Sequence, residues 1–280
     1  MNPVILQNDQ IQATFSPFQG MNLLQFLANG LEMIDQNTRP LFLERFAGLG
    51  SLIGPHFHHR PKGEIQEVPH ESLFPHIARV RAKGILEPFS HGIARYAPWK
   101  VEILDQSIQA QLSGNDVWNG SLLSSLEGFS FEMKLQASLL SNGLSLDYSI
   151  ESEKPSVLGF HYYYALPSTG GTIRAQVENS YRVKDEWMPI HPSFLDKEGN
   201  LFFDALQECD FGFIPKAPFE VFYENKNFSL KISFQVDGEA SFQLYRPKDA
   251  SYICIEPLTA KDPKQPILKK SSLQVKIEVV

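Results

Sequence analysis

The fold class this sequence predicts is all-β: a large antiparallel sandwich or barrel. Three observations carry it. Long stretches alternate apolar with polar residues, several shorter stretches repeat that rhythm between Gly, Pro, Asn and Asp, and no segment carries a long apolar stripe at helical spacing.

The clearest stretch runs from Phe129 to Ile150. Phe129, Phe131, Met133, Leu135, Ala137 and Leu139 alternate with mostly polar residues, as in a strand with one buried face. Asn142-Gly143 follows, a pair suited to the positive φ angles of a type I′ turn, and then Leu144, Leu146, Tyr148 and Ile150 resume the alternation. This predicts a hairpin. The same reasoning predicts a second one, with Leu230, Ile232, Phe234 and Val236 leading into Asp237-Gly238 and Ala240, Phe242 and Leu244 leading out. Period-2 stretches near Ile11–Phe15, Trp99–Leu112, Phe219–Tyr223 and Leu273–Val279 predict further strands. Between Gly48 and Pro98 the rhythm fails, and the segment is rich in His, Pro and Arg. A loop that long is a place to look for function.

The chain has 280 residues, 42% of them hydrophobic, enough for a large core. All-β folds of this length commonly form one unit, so residues 1–280 are expected to make a single domain. A net charge of -7 without a dense Lys/Arg stripe argues against nucleic acid as partner. The first ten residues lack the pattern of a secretory signal, and no apolar run approaches the ~20 residues that span a bilayer, so the expected location is cytoplasmic and no membrane partner is expected. Cys209 and Cys254 read as free thiols.

Four places offer chemistry. In Gly159-Phe160-His161-Tyr162-Tyr163-Tyr164, an extended backbone puts His161 and Tyr163 on one face and Phe160, Tyr162 and Tyr164 on the other. An imidazole beside an aromatic plate suits a sugar, whose C–H face stacks while its oxygen takes a proton; a core histidine is the alternative. In Tyr252-Ile253-Cys254-Ile255-Glu256-Pro257, Glu256 shares a face with Tyr252 and Cys254, and Pro257 is expected to end the strand. A carboxylate there is either a surface residue or a base with a raised pKa. His91-Gly92-Ile93-Ala94-Arg95 allows a tight turn at Gly92 that brings His91 and Arg95 toward one site. His56, His58 and His59 crowd enough imidazoles for a metal, yet no oriented carboxylate, Cys pair or metal-binding helix motif accompanies them. No metal is therefore assigned.

Taken together these segments resemble the aldose 1-epimerase family. His91-Gly92-Ile93-Ala94-Arg95 is similar to its His-Gly-Phe-Ala-Arg, Gly159 to Tyr164 to its Gly-x-His-Pro-Tyr-Phe, and Cys254-Ile255-Glu256-Pro257 to its Cys-x-Glu-Pro, in the family's order. The resemblance implies the large β-sandwich of galactose mutarotase-like proteins, and an enzyme interconverting the α and β anomers of an aldose without a cofactor. Glu256 would be the general base and His161 the general acid. His91, Asp210 and Tyr163 would contact the sugar, with Arg60 and Arg95 at the pocket mouth. Tyr162 stands where the family commonly has Pro, and His59 where it has an Asn before Arg60. Two alternatives are a hexose-6-phosphate epimerase, with Arg60 and Arg95 gripping the phosphate, and a carbohydrate-binding or regulatory protein without turnover.

Overall fold

The computed structural model describes residues 2–280. Among them are 22 strands, in two large antiparallel sheets of eleven and nine strands and one small ribbon. The larger sheet runs in the order Val4–Gln7, Ile11–Ser16, Asn22–Ala28, Gly50–Ile53, Gly159–Ala165, Tyr252–Leu258, Ser241–Arg246, Cys209–Pro215, Val177–Val183 and Glu186–Pro189, with Leu31–Glu32 paired onto Asn22–Ala28. The all-β sandwich expected from alternation is the observed architecture.

The two sheets face each other across one core. Phe160, Tyr162, Tyr164, Ile253 and Ile255 point inward from the larger sheet and meet Leu135, Tyr148, Tyr223, Ile232 and Val275 from the other. Tyr148 and Phe160 touch across the interface with ring centroids 5.6 Å apart. Burying each such ring stabilises the sandwich by ~2 kcal/mol. The face assignment read from the sequence therefore holds on both strands: their other faces carry His161, Tyr163, Cys254 and Glu256.

The first predicted hairpin is present as Phe131–Leu140 against Gly143–Ser152. Its connection is Ser141-Asn142, one residue earlier than expected, and neither Asn142 nor Gly143 has a positive φ. Gly143 is required for another reason: a Cβ there would stand 2.0 Å from the Ile277 carbonyl oxygen of the neighbouring strand. The second predicted hairpin does not form. Ser229–Asp237 lies in the nine-stranded sheet and Ser241–Arg246 in the larger one, so Asp237-Gly238 turns a corner between sheets. Ser229–Asp237 pairs instead with Glu220–Asn225. Pro257 does not end its strand either, which continues to Leu258.

The aperiodic segment contributes one strand, Gly50–Ile53, one α-helix, Pro75–Ala82, two single-turn 3-10 helices, Glu71–Leu73 and Ile93–Arg95, and otherwise turns and loops. Two further α-helices, Arg39–Arg45 and Leu123–Glu127, are shorter still, and no helix among the described residues is long and apolar enough to cross a membrane. Both cysteines are free and buried.

Candidate active site

Register across the larger sheet lines up two rows of side chains on its outer face. Ser51 faces His161, Glu256 faces Gln243, Gln243 faces Gly212, and Gly212 faces Arg182. Between Gly159–Ala165 and Tyr252–Leu258 the ladder lacks its pairings at Phe160 and His161, where Pro257 has no N–H to give. The register is the same on either side of this gap, so His161 still confronts Glu256. Two residues along each strand, Tyr163, Cys254, Tyr245 and Asp210 form the parallel row. The loops around His58 and His91 close over these rows and leave a cavity of about 400 Å³. That volume suits a small molecule.

His161 and Glu256 are the floor of the cavity, 6% and 1% exposed, with Nε2 and Oε1 3.4 Å apart. Burial, then the charge of Asp210, pushes the Glu256 carboxyl well above its usual range. Burial, then the Arg95 guanidinium, pushes the His161 imidazole well below its own. Both shifts favour an uncharged pair holding one proton on the carboxyl. Passing that proton to Nε2 creates a carboxylate and an imidazolium in contact, so the pair can present either a base and an acid or their reverse. The His161 ring stacks on Tyr163 at 4.8 Å and 13° and meets His91 edge-on at 5.2 Å.

The remaining sequence candidates separate clearly. His91, Arg95, Tyr163 and Asp210 all line the cavity. Arg95 is buried; its Nε donates to the Leu52 carbonyl and its Nη2 has no partner. Gly92 makes the placement of both loops possible, because a Cβ there would lie 2.0 Å from the Gly54 carbonyl oxygen and its φ is +89°. Asp210 accepts a hydrogen bond from Gln243, whose Oε1 accepts one from Arg182. Arg60, by contrast, is not on the cavity. Its guanidinium grips both oxygens of the buried Glu87 carboxylate at 2.8 Å and donates to the carbonyls of Leu126 and Glu127. The structure does not bring it together with the other candidates: Nε and Nη2 are held in a buried ion pair and Nη1 by the two backbone carbonyls.

The three clustered histidines do not converge. His56 points away to Glu127, at 2.6 Å, while His58 and His59 stack on each other at 4.2 Å and line the cavity. Burial draws His58 down to about 4, so its imidazole is neutral at pH 7. Ligand-type atoms of His161, Cys254 and Glu256 lie within 4.8 Å of one another. Burial holds the Cys254 thiol well above the usual thiol range, which opposes the thiolate a metal would require. Arg182, Gln243 and Tyr245 carry no signal in the sequence; they enter the site only through strand register.

No protein-family profile and no curated protein matches the sequence. Solved structures do match. A galactose mutarotase-like protein from Lactobacillus casei superposes with a TM-score of 0.72 at 13% identity, each chain covered over 100% of its length. The fold is that of galactose mutarotase-like proteins. A second mutarotase-like protein, from Clostridium acetobutylicum, gives 0.70 at 13% identity, covering 99% of this chain and 95% of the other. An aldose epimerase homologue from C. elegans gives 0.68 at 14% identity, covering 100% and 99%. The galactose mutarotase-like fold thus extends over the whole chain, and on it the two rows of the outer face place His161 opposite Glu256.

Proposed function

We propose that this protein is an aldose 1-epimerase, with Glu256 and His161 as its proton carriers. The carrying observation is the facing buried pair, whose environments push the two pKa values in opposite directions. Glu256, as carboxylate, removes the proton from the anomeric hydroxyl. His161, as imidazolium, protonates the ring oxygen, and the bond between C1 and that oxygen breaks to leave an aldehyde. Rotation about C1–C2 presents the other face of the carbonyl. The ring then closes with neutral His161 taking the proton back and the Glu256 acid returning one to the carbonyl oxygen. Protons balance over the cycle, so the chemistry needs no redox partner. The Tyr163 and Tyr245 rings flank the pair, and Asp210 is an acceptor for a sugar hydroxyl.

One observation favours a second reading, a hexose 6-phosphate as substrate. Arg45, Arg182, Lys184 and Lys264 line the same cavity, as does Arg95, whose buried Nη2 has no hydrogen-bond partner. Guanidinium and ammonium groups grip phosphate through charge-assisted hydrogen bonds. Anomer exchange followed by NMR on glucose, galactose and glucose 6-phosphate, in wild type and Arg95→Ala, separates the readings. Comparable kcat/KM for free hexoses and indifference to phosphate support the neutral substrate. A strong phosphosugar preference lost in Arg95→Ala supports the phosphate. Binding without exchange of any sugar would support a carbohydrate-binding protein.

A further inference from the structure

The cavity's roof is made of two loops that hold each other by their backbones. The His91 amide donates to the His58 carbonyl at 2.8 Å, and the His58 amide donates back to the His91 ring Nδ1 at 3.3 Å. The Gly54 amide donates to the His91 carbonyl, and the Ala94 amide to the Gly54 carbonyl. His58 and His91 both sit in the left-handed region, at φ +57° and +66°. Residues with a Cβ stay there only when their surroundings hold them.

The groups that hold them lie outside the cavity. The Glu127 carboxylate, fully buried on the helix Leu123–Glu127, accepts from the Ile93 amide at 3.1 Å through one oxygen and pairs with His56 Nδ1 at 2.6 Å through the other. It therefore ties one residue of each loop, His56 before His58 and Ile93 after His91.

We infer that Glu127 is a positioning residue that holds this clasp, and that the clasp fixes His91 as its Nε2–H tautomer, a neutral donor aimed at an oxygen of the ligand. An Nδ1 that accepts from an amide cannot carry a proton, so in the neutral ring the proton belongs to Nε2. His91 then recognises an acceptor, a ring oxygen or a hydroxyl lone pair. This role within the pocket rests on the sugar-binding reading; the tautomer does not.

The test is ¹⁵N NMR of histidine-labelled protein at pH 7. Wild type is expected to show His91 with a protonated Nε2 and an acceptor-type Nδ1. Glu127→Gln replaces one carboxylate oxygen by a donor and breaks one tie; it is expected to broaden or mix the His91 tautomers and to raise KM about tenfold more than it lowers kcat. His58→Gly keeps both the amide and the positive φ, and should preserve the His91 pattern; His58→Val, whose branched Cβ opposes positive φ, should lose it. These two variants carry the test if Glu127→Gln fails to fold. His91 protonated at Nδ1 in wild type, or a folded Glu127→Gln with an unchanged His91 spectrum, overturns the inference. Absence of epimerase activity alongside the expected spectrum would overturn the functional reading alone.

Discussion

His76 gives the most quantitative prediction. It lies on the helix Pro75–Ala82, 2% exposed, stacked on Tyr96 at 4.8 Å and edge-on to Phe46 at 5.5 Å, with Nε2 donating to the Pro88 carbonyl. Burial among these rings draws its pKa from 6.5 to about 4. Above pH 6.5 neither the folded nor the unfolded chain protonates this ring. As pH falls from 6.5 toward 4 the unfolded chain takes up a proton that the folded chain refuses, so stability is lost across that window. At ~1.4 kcal/mol per pH unit the loss from this one residue reaches about 3 kcal/mol by pH 4. His76→Gln retains a donor for Pro88 but does not titrate. Urea denaturation of both proteins at several pH values between 7.5 and 4.5 measures the difference, in which the other titrating histidines cancel. The variant should gain about 2–3 kcal/mol on wild type as pH drops to 4.5, whatever its handicap at neutral pH. A stability gap that stays constant with pH would refute the reasoning. The same helix reaches the cavity, which Val80 lines.

Two further predictions concern buried charge. Arg60→Met strands the Glu87 carboxylate, which should cost about 3–5 kcal/mol and lower Tm by roughly 5–15 °C, whereas Arg60→Met with Glu87→Met should recover much of it. A raised KM at unchanged Tm would instead make Arg60 a ligand of the substrate. Glu256→Gln should stabilise the fold near neutral pH. The wild-type carboxyl, raised by burial, ionises freely only when unfolded, so wild type loses stability as pH rises above 4.5 and the advantage of the variant vanishes below about pH 4. Equal pH dependence of the two proteins' stability between pH 4 and 8 would show that this carboxyl is not strained by burial.

Much of this architecture is written locally. Alternation from Phe131 to Ser152 specifies a strand, a turn and a strand, because consecutive residues of an extended chain face opposite sides. The same rule divides Phe160, Tyr162 and Tyr164 from His161 and Tyr163, and the structure keeps that division. Asp237-Gly238 shows the limit. Those two residues specify that the chain turns, while the choice of sheet for the next strand depends on partners far away in sequence. Gln243 illustrates the same limit inside the site: nothing around it suggests chemistry, and it joins Glu256, Asp210 and Arg182 only by cross-strand register. Arg60 is a related case. The resemblance puts it at the pocket mouth, while the structure pairs it in the interior with the Glu87 carboxylate, 27 residues on. The role of Glu127 is invisible in the sequence because its partners His56 and Ile93 lie 71 and 34 residues away.

The central claim is that Glu256 and His161 pass protons to and from an aldose. It is tested most directly by anomer-exchange NMR on the best hexose substrate with wild type, Glu256→Gln and His161→Asn at pH 7, each variant first shown to be folded by its circular dichroism. Loss of either proton carrier should slow exchange by at least about 100-fold while leaving the sandwich intact. Near wild-type exchange in either variant would contradict the account.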